Sequence, residues 1–196
     1  LPGDRPLACP RGQLPNRLVL PDVLNHILVA DQAKSQTQLE IRSEQAGRVS
    51  RILAGCSEKQ RQFLLDPSDY KSLRCPRRAG KSFAMAALAV YVGETIPNSR
   101  ILVISLTLKS TKENYWAGGT SGIFTMDRMF DLGLKYHHTD LVWHHQNGSR
   151  GRLAGAETRA DIEYLRGAAA EADVVILDEC KSFAPNLLQE LIREVL

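Results

Sequence analysis

The sequence has few cysteines, no long apolar run and little excess of either charge. Four cysteines among 196 residues lie scattered without a C-x-x-C pair, which excludes a legible zinc knuckle or disulfide framework and favours a reducing, intracellular setting. No apolar run approaches the ~18 residues that a membrane span needs, and the first residues lack the pattern of a secretory signal. The net charge of +3 is too small to indicate nucleic-acid binding by itself. We therefore expect a soluble cytoplasmic protein without membrane contact.

The composition, 43% hydrophobic and 24% charged, is sufficient for one substantial core. Residues 1–25 are rich in proline and leucine, which predicts an extended lead-in that cannot form one continuous helix. Residues 26–65 are rich in helix formers and predict one or two amphipathic helices, interrupted at Gly47 and Gly55. We assign residues 1–55 to this lead-in and residues 56–196 to the main domain.

From residue 70 onward, candidate strands alternate with helical stretches. They comprise a short strand at 70–75, a helix from 81, an apolar strand at 101–106, a helical stretch at 108–116, a hairpin between 134 and 157 turning at Asn147-Gly148, and an apolar strand at 173–177. Such alternation predicts an α/β fold with a mostly parallel central sheet flanked by helices. Ligands are expected at the carboxyl ends of its strands.

The stretch CPRRAGKS (75–82) ends like a phosphate-binding loop, G-x-x-x-x-G-K-[ST], although Cys75 replaces the first glycine. The Gly80 and Ala79 backbone would approach the phosphates, Lys81 would reach the β- and γ-phosphates, and the Ser82 hydroxyl would bind Mg²⁺. Two arginines inside the loop, at 77 and 78, would add positive charge. The alternative is a basic surface turn in which GKS occurs by chance.

The apolar strand DVVIL ends in two carboxylates, about 100 residues beyond the loop. In a nucleotide site Asp178 would hold the metal, and Glu179 would act as general base on the attacking water. Strand ends with solvated acids are common, but the two motifs together predict a P-loop NTPase.

Four histidines form a second candidate site, one for a metal ion. We expect them to be exposed strand residues instead of metal ligands, since adjacent strand residues point to opposite faces. They are His137, His138, His144 and His145.

With both motifs in place, the sequence resembles the ATPase domain of the large terminase subunit, the DNA-packaging motor of tailed bacteriophages. The resemblance rests on the arginine-bearing loop, on NGS followed by YLRG and VVILDE, and on Gln60-Arg61. It implies that Gln60 contacts adenine and that Arg166 acts on the nucleotide of a neighbouring subunit. It also implies ATP and Mg²⁺ as cofactors, a ring of subunits, and double-stranded DNA, portal protein and small terminase subunit as partners.

The sequence also departs from that family. The chain ends 17 residues past Glu179 (196 minus 179), so we expect an ATPase domain truncated after its acidic strand and without the nuclease domain. Two alternatives stay open. A helicase would share Gln60, the loop and the acid pair, although helicases usually extend the acid pair to D-E-A-[DH], whereas Cys180-Lys181 follow here. A non-catalytic nucleotide-binding assembly module would bind ATP without hydrolysing it.

Overall fold

The computed structural model describes residues 20–116, 119, 121–183 and 189. The chain divides into two compact units, Leu1–Arg42 and Ser43–Leu196. Residues 1–19 of the predicted lead-in lie outside the described part, and the first helix begins at Leu20. The expectation that residues 20–25 are extended is therefore wrong. Pro21 is compatible with a helix there because the first turn of a helix needs no N–H donor.

The described part of the chain contains six α-helices and five β-strands. The helices are α1 (Leu20–Gly55), α2 (Glu58–Leu65), α3 (Lys81–Thr95), α4 (Leu108–Thr111), α5 (Ile123–Phe130) and α6 (Arg159–Ala170). The strands are β1 (Arg100–Ser105), β2 (Lys135–His137), β3 (Val142–His144), β4 (Arg150–Gly155) and β5 (Val174–Leu177). A π-helical turn, Lys112–Trp116, follows α4, and a 3-10 turn, Cys180–Ser182, follows β5. No helix in the described residues is both long and apolar enough to cross a bilayer.

The five strands form one sheet in the order β2-β3-β4-β1-β5. β1 runs parallel to both β4 and β5, whereas β2 pairs with β3 and β3 with β4 in antiparallel fashion. The α/β prediction is confirmed, but the prediction of a mostly parallel sheet is wrong. The reason is β3, which joins β4 through the turn at Asn147-Gly148 and also pairs with β2, so that both ladders of β3 are antiparallel.

Each face of the sheet carries its own apolar cluster. One face buries Ile101, Val103 and Ile176 against α3 and α5, and the other buries Leu102 and Ile104 against α6. Successive strand residues point to opposite faces, so the uninterrupted apolar run of β1 serves both clusters. Helices α3 and α6 therefore lie on opposite sides of the sheet.

Two local predictions need correction. The strand predicted at 70–75 is absent; Lys71 instead caps the end of α2, where its ammonium donates to the carbonyls of Phe63 and Leu64 at 3.2 Å. No described strand lies alongside this segment as a ladder partner. Helix α1 also continues through Gly47 and ends only at Gly55, because packing outweighs the modest helix penalty of one glycine.

A buried charge network joins the carboxyl-terminal half of α1 to the end of α3 and to the hairpin. The Glu94 carboxylate accepts from Arg48 Nε at 2.8 Å and lies 2.7 Å from His145 Nδ1. Trp143 donates its indole N–H to His145 Nε2 at 3.2 Å, which assigns the ring proton to Nδ1. His144 is exposed as predicted, but the prediction that all four histidines are exposed is wrong, since His145 is buried in this network.

Candidate functional site

The loop that leads into α3 is a tight turn followed by a left-handed residue. The Ala79 N–H donates to the Pro76 carbonyl at 3.3 Å, and Arg78 has a positive φ of 63°. Gly80 caps α3 with a φ of 81°, a conformation that favours glycine. A Cβ there would lie 2.8 Å from Gln60 Nε2. The helix thus begins at Lys81 with its first N–H groups directed towards the loop.

Gln60 ties this loop to α2. Its side-chain amide donates to the Gly80 carbonyl at 3.2 Å, and its oxygen accepts the Ser57 backbone N–H at 2.9 Å. The amide therefore bridges the start of α2 and the residue that caps α3. Gln60 therefore lies beside the loop, and its contact with adenine stays a prediction.

Lys81 and Asp178, 97 residues apart, meet in an ion pair between Nζ and Oδ1. Asp178 follows β5, where its N–H donates to the Ile104 carbonyl at 2.9 Å and so continues the ladder with β1. Its carboxylate is 3% exposed, whereas the Lys81 side chain is 31% exposed. The lysine can reach solvent, but the carboxylate cannot follow it.

The second oxygen of Asp178 has its own donor, which sequence reasoning missed. The hydroxyl of Tyr115, in the π-helical turn, donates to Oδ2 at 2.9 Å and lies 3.6 Å from Met85 Sδ. Burial and the neighbouring Asp178 carboxylate raise the pKa of the Tyr115 hydroxyl far above its usual range, so it stays a neutral donor. Ser82 also lies against this hydroxyl. Ser82 and Asp178, the two predicted metal ligands, thus share one neighbour.

The oxygen ligands at this point fit a magnesium ion. Mg²⁺ prefers oxygen donors and is usually held by one or two side chains together with phosphates and water. Asp178 offers a carboxylate and Ser82 a hydroxyl, and both groups interact with the Tyr115 hydroxyl. Among the described residues no group of three His, Cys, Asp or Glu side chains is placed to hold a metal without such help.

Glu179 and the loop arginines occupy more open positions. Glu179 is exposed and has a φ of 56°, which turns the chain sharply out of β5 into the 3-10 turn. Arg77, Arg78 and Ala79 are exposed in the loop. The structure thus brings Gln60, Gly80, Lys81, Ser82 and Asp178 together and leaves these four at the rim.

Residues 73–195 match the family described as the N-terminal part of the terminase large subunit, T4likevirus type. The chain belongs to this family. The match includes the loop, Tyr115, Arg166 and the acid pair, but not Gln60. No curated protein sequence matches the chain.

Two solved terminase structures are similar to this terminase chain. A large terminase from a thermophilic bacteriophage aligns with a TM-score of 0.54 at 16% identity, covering 71% of this chain and 36% of that protein. The large terminase ATPase domain of Thermus phage P74-26 aligns with a TM-score of 0.48 at 21% identity, covering 71% of this chain and 64% of the domain. The chain therefore spans about a third of the first protein and under two thirds of the second domain. At 16% identity, the first alignment supports the fold alone.

Arg166 lies apart from the loop elements in the fold. It belongs to α6, where its guanidinium pairs with Glu163 at 3.5 Å, and α6 packs on the sheet face opposite α3. A capping box sets the start of this helix, in which Thr158 and Asp161 exchange hydrogen bonds at 2.8 and 3.2 Å. Its position next to the nucleotide site of another subunit stays a prediction.

Proposed function

We propose that this terminase chain is an ATPase motor domain that couples ATP hydrolysis to the movement of double-stranded DNA into a procapsid. The ion pair between Lys81 and Asp178 carries the proposal, because it joins the two motifs across 97 residues. Each member would exchange its partner when nucleotide binds. Lys81 would turn to the β- and γ-phosphates, and Asp178 would then be free to bind a magnesium ion. Such an exchange keeps the buried carboxylate compensated in both states.

The loop would hold the phosphates through backbone and charge together. N–H groups at the start of α3 and the positive end of its dipole favour an anion there, and Gly80 allows close approach. Arg77 and Arg78 would add charge from the rim, and Ala79 would contribute backbone. Gln60, fixed beside Gly80, would face the adenine base.

Asp178 and the Ser82 hydroxyl would hold Mg²⁺. When bound, the ion supplies Lewis-acid stabilisation of charge on the transferred phosphoryl group. Glu179 would orient and deprotonate the attacking water; its exposed side chain leaves room for that water. Arg166 would complete the site of the next subunit in a ring, an arrangement supported by its place across the sheet from α3.

The DNA part of the proposal rests on the exposed end of the sheet face on which α6 packs. Four basic side chains lie opposite one another on four neighbouring strands, in a row about 14 Å long. They are Lys135, His144, Arg150 and Arg100. All four are exposed, and the guanidinium of Arg152 lies over the Tyr164 ring at 4.9 Å.

The strands β2 to β4 place no carboxylate on this face. Glu171 pairs with Arg100 from outside them at 2.6 Å. Single-strand binding proteins use exposed aromatic platforms, which these strands do not present on this side, so phosphate contacts to a duplex fit better. The same proposal includes portal protein and the small terminase subunit as partners, and the host cytoplasm as the location.

Lys81→Ala tests the nucleotide site. We expect binding of a fluorescent ATP analogue to weaken more than tenfold, about 1.4 kcal/mol, because the mobile charge facing the phosphates is lost. Lys109→Ala removes an 85% exposed lysine and should leave affinity unchanged. Equal affinity of a folded Lys81→Ala protein and the parent would exclude the assignment.

A measurement of ATP hydrolysis distinguishes a motor from a non-catalytic nucleotide-binding module. The exposed position of Glu179 is compatible with either function. Glu179→Gln should retain ATP and lose hydrolysis, provided that the parent protein hydrolyses ATP. A parent that binds ATP but shows no turnover, even with DNA and procapsids present, would favour the module.

Arg150→Ala with Arg152→Ala tests the DNA face. Loss of two phosphate contacts should weaken duplex binding at all sequences and reduce the slope of log affinity against log salt by about 2. The control Lys109→Ala with Lys112→Ala removes the same charge from α4 and the π-helical turn. If both pairs reduce the slope equally, the effect reflects net charge and the face is not the contact.

A further inference from the structure

The Tyr115 hydroxyl donates a hydrogen bond to Asp178, the candidate metal ligand. The hydroxyl donates to one oxygen of Asp178, Oδ2, and Lys81 pairs with the other, Oδ1. The two donors differ in freedom, since the Lys81 side chain is 31% exposed and Tyr115 is 0% exposed. When Lys81 moves, Tyr115 is the donor that remains.

The π-helical turn places Tyr115 in the core. Its first three residues, 112–114, are exposed, and the last two, Tyr115 and Trp116, are both buried. Trp116 packs edge-on against Phe124, with 5.1 Å between the ring centroids, and against Tyr136, with 5.7 Å between the ring centroids. This aromatic packing fixes the turn on one side, and the Met85 contact of the hydroxyl fixes it on the other.

We propose that Tyr115 is the positioning residue for Asp178: its hydroxyl holds Oδ2 and thereby presents Oδ1 to Mg²⁺ beside Ser82. The proposal rests on the nucleotide site proposed above and adds a residue to it. Tyr115 touches neither phosphate nor metal in this scheme; it acts through the carboxylate. Partners of this kind orient metal ligands, and their loss typically reduces metal affinity about 10- to 100-fold.

The test is Tyr115→Phe, which removes the hydroxyl and keeps the ring. Binding of a fluorescent ATP analogue is measured in EDTA and then across a MgCl₂ titration. We expect affinity in EDTA to stay within about twofold, and the Mg²⁺ midpoint to rise about tenfold. A purely structural role would change both measurements or neither.

Tyr136→Phe is the matched control. The Tyr136 hydroxyl donates to Asp127 Oδ2 at 2.8 Å, so the variant loses the same tyrosine-to-aspartate bond away from Asp178. It should leave the Mg²⁺ midpoint at the parent value. Equal midpoints for Tyr115→Phe, Tyr136→Phe and the parent would overturn the role of Tyr115.

The outcomes separate this inference from the proposed function. A parent protein without nucleotide binding overturns both, whereas a parent with Mg²⁺-dependent binding that Tyr115→Phe leaves unchanged overturns only the inference. Should Tyr115→Phe not fold, 3-fluorotyrosine placed at position 115 keeps the hydroxyl. Its ¹⁹F resonance should shift when Mg²⁺ joins bound nucleotide, and an unshifted resonance counts against the proposal.

Discussion

Two buried carboxylates lie near opposite ends of α3, and each has two donors. Asp178 is held by Lys81 and Tyr115, and Glu94 by Arg48 and His145. The donors of Glu94 are closed in, with side-chain exposures of 7% for Arg48 and 0% for His145. The lysine at Asp178 is 31% exposed.

This difference separates a fixed ion pair from an exchangeable one. A buried charge that loses its partner costs several kcal/mol, so the Glu94 network can only stay closed. Lys81 can move towards solvent, and Asp178 then keeps its hydrogen bond from the Tyr115 hydroxyl. Burial of the carboxylate alone therefore does not distinguish the two ion pairs; the exposure of its partner does.

Glu94→Gln should produce the largest loss of stability. It leaves Arg48 buried beside an amide, and the further partner of Arg48 among the described residues, the Glu44 carboxylate at 3.7 Å, is 71% exposed. We expect the free energy of unfolding, measured in urea, to fall by about 3–5 kcal/mol.

Asp178→Asn is the comparison variant. We expect a loss near 1 kcal/mol, because Lys81 can turn to water and the Asn oxygen still accepts from Tyr115. Similar losses at both positions would mean that the two ion pairs are equally fixed.

The sequence predicts one of these two sites and misses the other, for a physical reason. The loop and the acidic strand have recognisable local patterns, and Gly80, Lys81 and Asp178 follow from them. Tyr115 and the Glu94 network depend on partners 63 and 46 residues away that no local pattern connects. The helices and the hairpin were predictable from periodicity and from Asn147-Gly148. The absence of the strand predicted at 70–75 was not predictable, because a strand needs a neighbouring strand as well as a suitable sequence.

Gly93→Ala should cause the next largest effect, again at the fixed network. An added Cβ would lie well inside van der Waals contact of the His145 ring, which cannot move without breaking its bonds to Glu94 and Trp143. We expect a loss of about 1–3 kcal/mol in urea unfolding, with ATP-analogue affinity unchanged.

Gly167→Ala provides the control for that substitution. Gly167 lies in α6, and a Cβ added there would meet no atom within 4 Å, so the change should stabilise by about 0.5–1 kcal/mol. A neutral Gly93→Ala would show that the network tolerates displacement and is less fixed than its burial indicates.

Mild acid should produce the smallest effect, and it should come from Glu94. Burial raises the pKa of this carboxyl, but the bonds from His145 and Arg48 outweigh burial, so its folded pKa is lowered. Such a group contributes stability that is fully present above its unfolded pKa, about 4.3, and is lost as the pH falls through the lower folded value. One proton limits the slope to about 1.4 kcal/mol per pH unit. Urea unfolding between pH 7 and 3 should give a shallower acid limb for Glu94→Gln than for the parent.

The control for the acid limb is Asp161→Asn at the start of α6. Hydrogen bonds from Thr158 lower the pKa of this exposed carboxyl as well, so its contribution also disappears in acid. Salt screens exposed charges more than buried ones, so 0.5 M NaCl should reduce any difference made by Asp161→Asn and leave the difference made by Glu94→Gln in place. Parallel acid limbs for the parent and Glu94→Gln would mean that Glu94 titrates alike in both states, and the contrast with Asp178 would then rest on partner accessibility alone.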